Sequence, residues 1–161
     1  MTRKIFSDRK AFLSTLKKIK KTRRRIVFTN GCFDIVHLGH LHYLKTAARM
    51  GDLLIIGLNT DMSIKRLKGR GRPVNSFEYR SLFLSYLDFV DYIIGFEEDT
   101  PIELIGTVLP DILVKGGDYR KTDIVGYREV KDNGGRVVTI PFEYEVSTSG
   151  LIKKLKGKAC R

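Results

Sequence analysis

The sequence has no apolar run close to the roughly 20 residues that cross a bilayer, so it predicts no transmembrane helix. Residues 1–25 contain Lys and Arg but no continuous apolar stretch of signal-peptide length, and we therefore expect no secretory leader and a cytoplasmic location. Cysteine is scarce. Cys32 and Cys160 stand in unrelated contexts, and because cytosolic thiols usually stay reduced, no disulfide is expected.

Charge is distributed unevenly along the 161 residues, whose net charge is +12. Residues 1–25 hold eleven Lys and Arg against one acid, and residues 153–161 hold five basic residues, whereas the stretch between has fourteen basic residues and seventeen acids. A fold that grips nucleic acid carries its basic face on the folded body. We interpret the basic ends as solvated termini, and expect neither a nucleic-acid nor a membrane partner.

Short apolar runs recur at 26–29, 53–58, 92–96, 112–114 and 137–140, as in buried parallel strands. Helical patterns separate them, with apolar faces formed by Leu41, Leu44 and Ala48 and by Phe83, Leu84 and Leu87. Thr100 before Pro101 predicts a helix start, and Asn133-Gly134-Gly135 predicts a helix end. This alternation indicates a Rossmann-like, doubly wound parallel sheet of five strands with helices on both faces.

The predicted organisation has three parts: a basic N-terminal helical extension (1–25), a central domain (26–155) and a basic C-terminal tail (156–161). In the extension, Ser7 or Asp8 is expected to cap an amphipathic helix. One side of that helix is predicted to carry Phe12, Leu13, Leu16 and Ile19.

The first predicted strand runs directly into residues 29–40, which read TNGCFDIVHLGH. Ligands of open parallel sheets bind beyond the carboxyl ends of the strands. Gly31 permits a tight turn, Gly39 allows close approach of the backbone, and His40 is expected to open a helix whose N–H groups favour an anion. His37 and His40 would then lie beside a phosphate, where a cationic imidazole could stabilise charge on phosphorus.

Two other interpretations of this segment stay open at this point. Cys32, His37, His40 and His42 could ligate zinc, although no second Cys/His pair completes the usual spacing. The histidines could also serve only for capping and packing. The spacing matches neither of the common glycine-rich phosphate loops, so a phosphate site here must use a different grip.

The run Gly31-Cys32-Phe33-Asp34 with His37-x-Gly39-His40 resembles the signature of the cytidylyltransferase-like nucleotidyltransferases, the HxGH type. Ser147-Thr148-Ser149 followed by Leu151-Ile152 resembles the second, phosphate-contacting signature of that superfamily. Segments 59–61, 66–69, 72–75, 96–101 and 113–119 resemble the D-glycero-β-D-manno-heptose 1-phosphate adenylyltransferases. That resemblance implies ATP with Mg²⁺ and a sugar phosphate as substrates, a separate heptose kinase acting in the same pathway, and a possible homo-oligomer.

The resemblance also implies roles for individual residues. His37, His40 and Lys68 are the expected catalytic residues. Nucleotide or phosphate contacts are expected from Thr29, Asn30, Gly31, Cys32, Phe33, Gly39, Arg80, Lys115, Gly116, Ser147, Thr148 and Ser149. Contacts to the second substrate are expected from Asp34, Asn59, Asp61, Arg72, Asp118 and Tyr119, and no protein side chain is assigned to a metal.

Several of these roles have structural alternatives. The five bases Lys65, Arg66, Lys68, Arg70 and Arg72 could form a solvated loop, and Gly116-Gly117 could simply make a turn. Asp34 could orient a substrate hydroxyl or bond backbone N–H groups. Arg80 could pair with Glu78 or Asp88. Cys32 has no designated base and is interpreted as a packing residue.

Overall fold

Six parallel strands form one sheet in the computed structural model, which describes residues 4–117, 119–141, 148 and 150–152. Among these residues the spatial order of the strands is β1-β4-β3-β2-β5-β6. Their bounds are β1 Ile5–Phe6, β2 Ile26–Gly31, β3 Leu53–Asn59, β4 Tyr92–Phe96, β5 Ile112–Gly116 and β6 Arg136–Ile140. The predicted fold class is confirmed, but the strand count of five was wrong. β1 has two residues, too few for a periodic signal, and it pairs with Ile93 and Ile94 of β4.

Helices cover both faces of the sheet, with the bounds α1 Arg9–Lys21, α2 Leu38–Ala48, α3 Asp61–Lys68, α4 Phe77–Ser85, α5 Ile102–Val108 and α6 Tyr127–Asp132. A 3₁₀ turn spans Lys121–Asp123. One apolar cluster joins α2 and α4 to one face of the sheet, and a second joins α1, α5 and α6 to the other. β3 is buried along its whole length because alternate residues, such as Leu54 and Ile55, enter opposite clusters.

Several predicted helix details need correction. α2 buries Tyr43, Leu44 and Ala47, with Leu41 and Ala48 at the edge of that face, and Phe83 of α4 is substantially exposed. Pro101, not Thr100, is the N-cap of α5, so this helix starts one residue later than predicted. Asn133 caps α6 and Gly134 has a positive φ of 80°, which confirms the predicted helix end.

The order of the strands places a crevice between β2 and β5. From β2 the chain moves outward through β3 and β4, and it then returns to the other side of β2 to form β5 and β6. The carboxyl ends of β2 and β5 therefore flank the switch point where open α/β sheets bind ligands. No helix among the described residues is long and apolar enough to span a membrane.

α1 is fastened to the core despite its basic surface. Asp8 caps it by accepting a hydrogen bond from the backbone N–H of Ala11 at 2.9 Å. Phe12, Leu16 and Ile19 are buried, whereas Leu13, predicted to share their face, is 41% exposed. Phe12 lies edge-on to Phe6 of β1, with ring centroids 4.9 Å apart. Residues 4–25 therefore supply both an edge strand and part of the apolar core.

Truncating Phe12 tests this contribution. Phe12→Ala should lower the free energy of unfolding by about 3–5 kcal/mol, because it removes a fully buried ring. Leu13→Ala, one position along the same helix, should cost less than about 1 kcal/mol. Urea denaturation of both variants provides the measurement, and equal losses would contradict the assignment of α1 to the core.

Candidate active site

Two histidines stand at the amino end of α2, at the carboxyl edge of the sheet. His37 is the N-cap and Leu38 the first helical residue, so the helix opens earlier than the predicted start at His40. The two imidazole rings lie 3.8 Å apart between centroids and are tilted by 31°. The backbone N–H of His37 donates to Nδ1 of His40 at 3.4 Å. When neutral, His40 therefore carries its proton on Nε2, which leaves Nε2 as a donor.

Burial controls the charge state of this pair. It lowers the pKa of His37, and burial together with the proximity of His37 lowers the pKa of His40 to about 4. The expected cationic imidazoles are therefore neutral near pH 7 in the ligand-free protein. His37 Nδ1 is buried at the N-cap, where the His37 side chain and the backbone N–H of His40 face each other in a capping box, and it makes no hydrogen bond of full geometry among the described residues. The contact from the His37 N–H to His40 Nδ1 is the other half of this box.

Phe33 fixes the position of the loop beneath the histidines. Its backbone is left-handed, with a φ of 45°, and its buried ring packs edge-on against His40 with centroids 5.3 Å apart. A Cβ at Gly31 would lie 3.0 Å from that ring, so a larger residue at position 31 would require the ring to move by a few tenths of an ångström. Strained backbone of this kind is typical of functional sites.

Asp34 ties this loop to the segment between α3 and α4. Its fully buried carboxylate accepts hydrogen bonds from Arg72 Nε at 2.6 Å and from the backbone N–H groups of Val74 and Asn75 at 2.8 and 2.9 Å. Burial opposes ionisation, but these bonds hold the pKa of Asp34 below its ordinary value. Asp34 was expected either to orient a substrate hydroxyl or to bond backbone N–H groups of the loop. Its contacts match the second role, and they also include Arg72.

Arg80 is a second buried connection, only 1% exposed. It donates to the carbonyl oxygens of Cys32 and Asn75 at 2.7 and 3.0 Å and to Asp61 Oδ1 at 2.7 Å. The ion-pair partner is therefore Asp61, and not Glu78 or Asp88 on its own helix and the following turn. All three guanidinium nitrogens are engaged, so Arg80 sets the position of the loop at Cys32.

Positive charge converges on Cys32. Burial raises the pKa of this thiol, while Lys68, Arg80 and Arg72 act in the opposite direction. Lys65 to Lys68 belong to α3, so only Arg70 and Arg72 of the predicted basic loop lie outside a helix. Arg66 points elsewhere, since it pairs with Asp99 at 3.0 Å and with Glu97. Lys115 follows the buried part of β5, and burial lowers its pKa.

Other predicted residues have structural partners. Thr29 is fully buried, and its hydroxyl lies 2.5 Å from the hydroxyl of Tyr43. Asn59 donates to Ser63 Oγ at 3.0 Å and accepts a long contact, 3.8 Å, from the thiol of Cys32. Tyr43 and Ser63 were not predicted as site residues, because a single hydroxyl side chain within a helix forms no sequence pattern.

Ser147 and Ser149 of the second signature lie outside the described residues, as does Asp118. Thr148 is described, and its hydroxyl donates to the carbonyl oxygen of Ile35 at 3.1 Å, which brings the second signature against the first. Tyr119 is 56% exposed. The described residues contain no group of three or more His, Cys, Asp or Glu that could hold a metal, and the zinc interpretation gains no support from them.

Comparison with known proteins shows the family to which this chain belongs. The family model described as cytidylyltransferase-like matches residues 28–154, from β2 through the second signature. This chain belongs to the cytidylyltransferase-like family. The predicted membership of this family is thereby confirmed.

Members of this family include close relatives of the chain. It is 50% identical over 143 residues to the bifunctional protein HldE of Actinobacillus succinogenes and 52% identical over 140 residues to that of Haemophilus ducreyi. The chain covers only 30% of the length of each. A solved structure of a lipopolysaccharide core biosynthesis protein from Thermoplasma volcanium matches with a TM-score of 0.62 and 29% identity, over 76% of this chain and 99% of that one. A pantoate-beta-alanine ligase from Francisella tularensis shares the fold at a TM-score of 0.64 and 18% identity, over 92% of this chain and 70% of that one.

The depressed pKa of His40 gives a pH prediction for this cytidylyltransferase-like chain. Because the folded pKa of about 4 lies below the ordinary 6.5, protonation opposes folding. The stability of the parent relative to His40→Gln should be constant above about pH 6.5 and fall as the pH drops toward 4. Proton NMR titration should place the transition of His40 near pH 4, and a titration at its ordinary pKa would contradict the buried, neutral site.

Proposed function

We propose that this chain transfers AMP from ATP to D-glycero-β-D-manno-heptose 1-phosphate, giving ADP-heptose and pyrophosphate for the inner core of lipopolysaccharide. The observation that carries the proposal is the stacked pair His37 and His40 at the start of α2, at the switch point of the sheet. The free N–H groups at the start of the helix and the imidazole donors can together bind the phosphates of a nucleoside triphosphate.

The reaction itself asks little of the protein beyond positioning. A phosphate oxygen of the sugar phosphate attacks the α-phosphorus of ATP, and the bond from that phosphorus to the bridging oxygen of the β-phosphate breaks. The attacking oxygen is already anionic and needs no general base. Pyrophosphate leaves with the electron pair of the broken bond, so negative charge grows on it as the bond breaks.

His37 and His40 are proposed to meet that growing charge. With its Nδ1 occupied by the backbone of His37, neutral His40 presents Nε2–H as a donor. Each half-buried imidazole donates to a phosphate oxygen without first losing a strong bond to the protein. The anion in turn favours the protonated imidazole, so the pKa of His40 should rise when pyrophosphate or ATP binds.

Lys68 is proposed to bridge the reacting phosphates. It is exposed at the last position of α3, and its charge lowers the pKa of the Cys32 thiol, so Lys68 lies near the loop that precedes the histidines. Arg72 and Arg80 contribute positive charge to the same region from fixed positions, since both are bonded to the protein. Lys68 is thus the cation best able to follow the phosphates as they approach each other.

Mg²⁺ is proposed to enter as part of the ATP complex. The two nearby carboxylates are already engaged, Asp34 by Arg72 and backbone N–H groups and Asp61 by Arg80. The described residues thus suit a metal that is held by phosphate oxygens and supplies charge neutralisation there.

The choice of heptose phosphate is supported by the resemblance of the segments from Asn59 onward and by the HldE relatives at 50–52% identity. The match to a lipopolysaccharide core biosynthesis protein agrees with it. The family description favours a second candidate, a cytidylyltransferase acting on a small alcohol phosphate such as glycerol 3-phosphate.

A matrix of substrates decides between the candidates. Each of the four nucleoside triphosphates is incubated with Mg²⁺ and with heptose 1-phosphate or glycerol 3-phosphate, and pyrophosphate release is followed. Release with ATP and heptose phosphate alone supports the proposal. Release with CTP and glycerol phosphate supports the alternative, and no release with any pair excludes both.

Removing either histidine tests the phosphate site. His37→Ala and His40→Ala should each lower kcat on the order of 100-fold while the circular dichroism spectrum stays unchanged, because each donor acts on charge that grows in the transition state. If both variants turn over like the parent, the histidines are not phosphate ligands.

Lys68→Ala should depress kcat and kcat/KM together, by roughly 10-fold or more, with little change in KM. Lys68→Arg should restore only part of the loss. Lys65→Ala is the matched control, since Lys65 is an exposed lysine on the same helix and should leave both constants within about two-fold of the parent. An effect of Lys68→Ala on KM alone would make the end of α3 a docking surface.

A further inference from the structure

The phenol of Tyr43 joins three elements inside the protein. Tyr43 lies on α2 and is buried, and its hydroxyl donates to the carbonyl oxygen of Val114 on β5 at 3.1 Å. The hydroxyl of Thr29 on β2 lies 2.5 Å from the hydroxyl oxygen of Tyr43. Since the single phenol proton goes to Val114, Thr29 must be the donor in its contact with Tyr43.

This connection stands where the two central strands separate. The paired residues of β2 and β5 are Val27 with Ile112 and Phe28 with Leu113. Thr29 and Val114 come directly after the last pair, at the mouth of the crevice. There the Tyr43 hydroxyl links the side chain of Thr29 on one strand to the carbonyl oxygen of Val114 on the other.

Each of the three joined elements also carries a residue of the proposed phosphate site. On each element that residue lies within three positions of the residue that makes the connection. On α2, His40 precedes Tyr43 by three residues and so lies on the same side of the helix. On β2, Gly31 follows Thr29 by two residues, and on β5 Lys115 is the next residue after Val114. A shift of α2 relative to the strands would therefore displace His40 from both Gly31 and Lys115.

We propose that Tyr43 is a positioning residue, which sets the distance of His37 and His40 from the ends of β2 and β5 through its bonds to Thr29 and Val114. The kinetic part of this inference rests on the proposed function. Burial strongly raises the pKa of Tyr43, so the phenol stays protonated and acts on the reaction only through the placement of α2.

Tyr43→Phe removes the connection and keeps the ring. We expect kcat about 10-fold lower with the KM of each substrate within about two-fold of the parent, because small displacements of catalytic groups cost rate more than binding. Thr29→Val removes the same bond from the other side and should give a similar loss. The double variant should be no slower than the slower single variant, since both changes break one connection.

Tyr92→Phe is the matched control. Tyr92 starts β4 and packs with Phe6 and Phe12 on the opposite face of the sheet, so loss of its hydroxyl should leave kcat unchanged. All variants are assayed well below their Tm. A lower Tm for Tyr43→Phe with kcat within two-fold of the parent would overturn the proposal and leave Tyr43 a purely structural residue.

A second measurement does not depend on turnover. The ring resonances of His37 and His40 are followed by NMR, with and without inorganic pyrophosphate. In Tyr43→Phe these resonances should shift, and the rise in the pKa of His40 caused by pyrophosphate should shrink, whereas Tyr92→Phe should match the parent. If the parent releases no pyrophosphate from any substrate pair, the proposed function fails. Unchanged histidine resonances in Tyr43→Phe would then overturn the positioning role separately.

Discussion

The buried guanidinium of Arg80 is the constraint on which the geometry of this site depends. It stands on α4, yet two of its three bonds go to carbonyl oxygens of loops, at Cys32 and Asn75. Its third bond goes to Asp61 at the start of α3. A buried charge is tolerated only when its hydrogen bonds are complete, so the loops must take the positions that satisfy it. One side chain thereby fixes α3, α4 and the loop at Cys32 relative to each other.

Asp34 extends this constraint with the opposite charge. It accepts from Arg72, Val74 and Asn75, while the side chain of Asn75 donates back to the carbonyl oxygen of Asp34 at 2.6 Å. The segment after α3 is held by Asp34 at Arg72, Val74 and Asn75, and by Arg80 at the carbonyl oxygen of Asn75. Several residues expected to contact substrate therefore act first on the protein, by holding the loops that face the ligand.

The electrostatics of the site combine a neutral centre with a cationic surround. Burial keeps His37 and His40 uncharged, while Lys68, Arg72 and Arg80 act on the adjacent thiol of Cys32. A polyanion that enters such a site is attracted by the surrounding cations and can accept hydrogen bonds from the neutral imidazoles.

The five longer strands, the fold class and the segment from Thr29 to His40 followed from the sequence alone, because apolar runs and glycine-histidine spacing are local signals. The long-range hydrogen-bond partners of the site residues did not follow from the sequence. Nothing near Arg80 in the sequence indicates Asp61 or the carbonyl of Cys32, which lies 48 residues away, and nothing near Tyr43 indicates Val114. The sequence also favoured cationic histidines, since the ordinary pKa of imidazole lies near neutrality; burial lowered it. Local chemistry thus determined which residues could meet a phosphate, whereas tertiary packing decided their charge and which of them were committed to holding the loops. The charge of these residues and their role in holding the loops depend on long-range contacts and on exclusion of water. Neither of these produces a periodic pattern in the sequence.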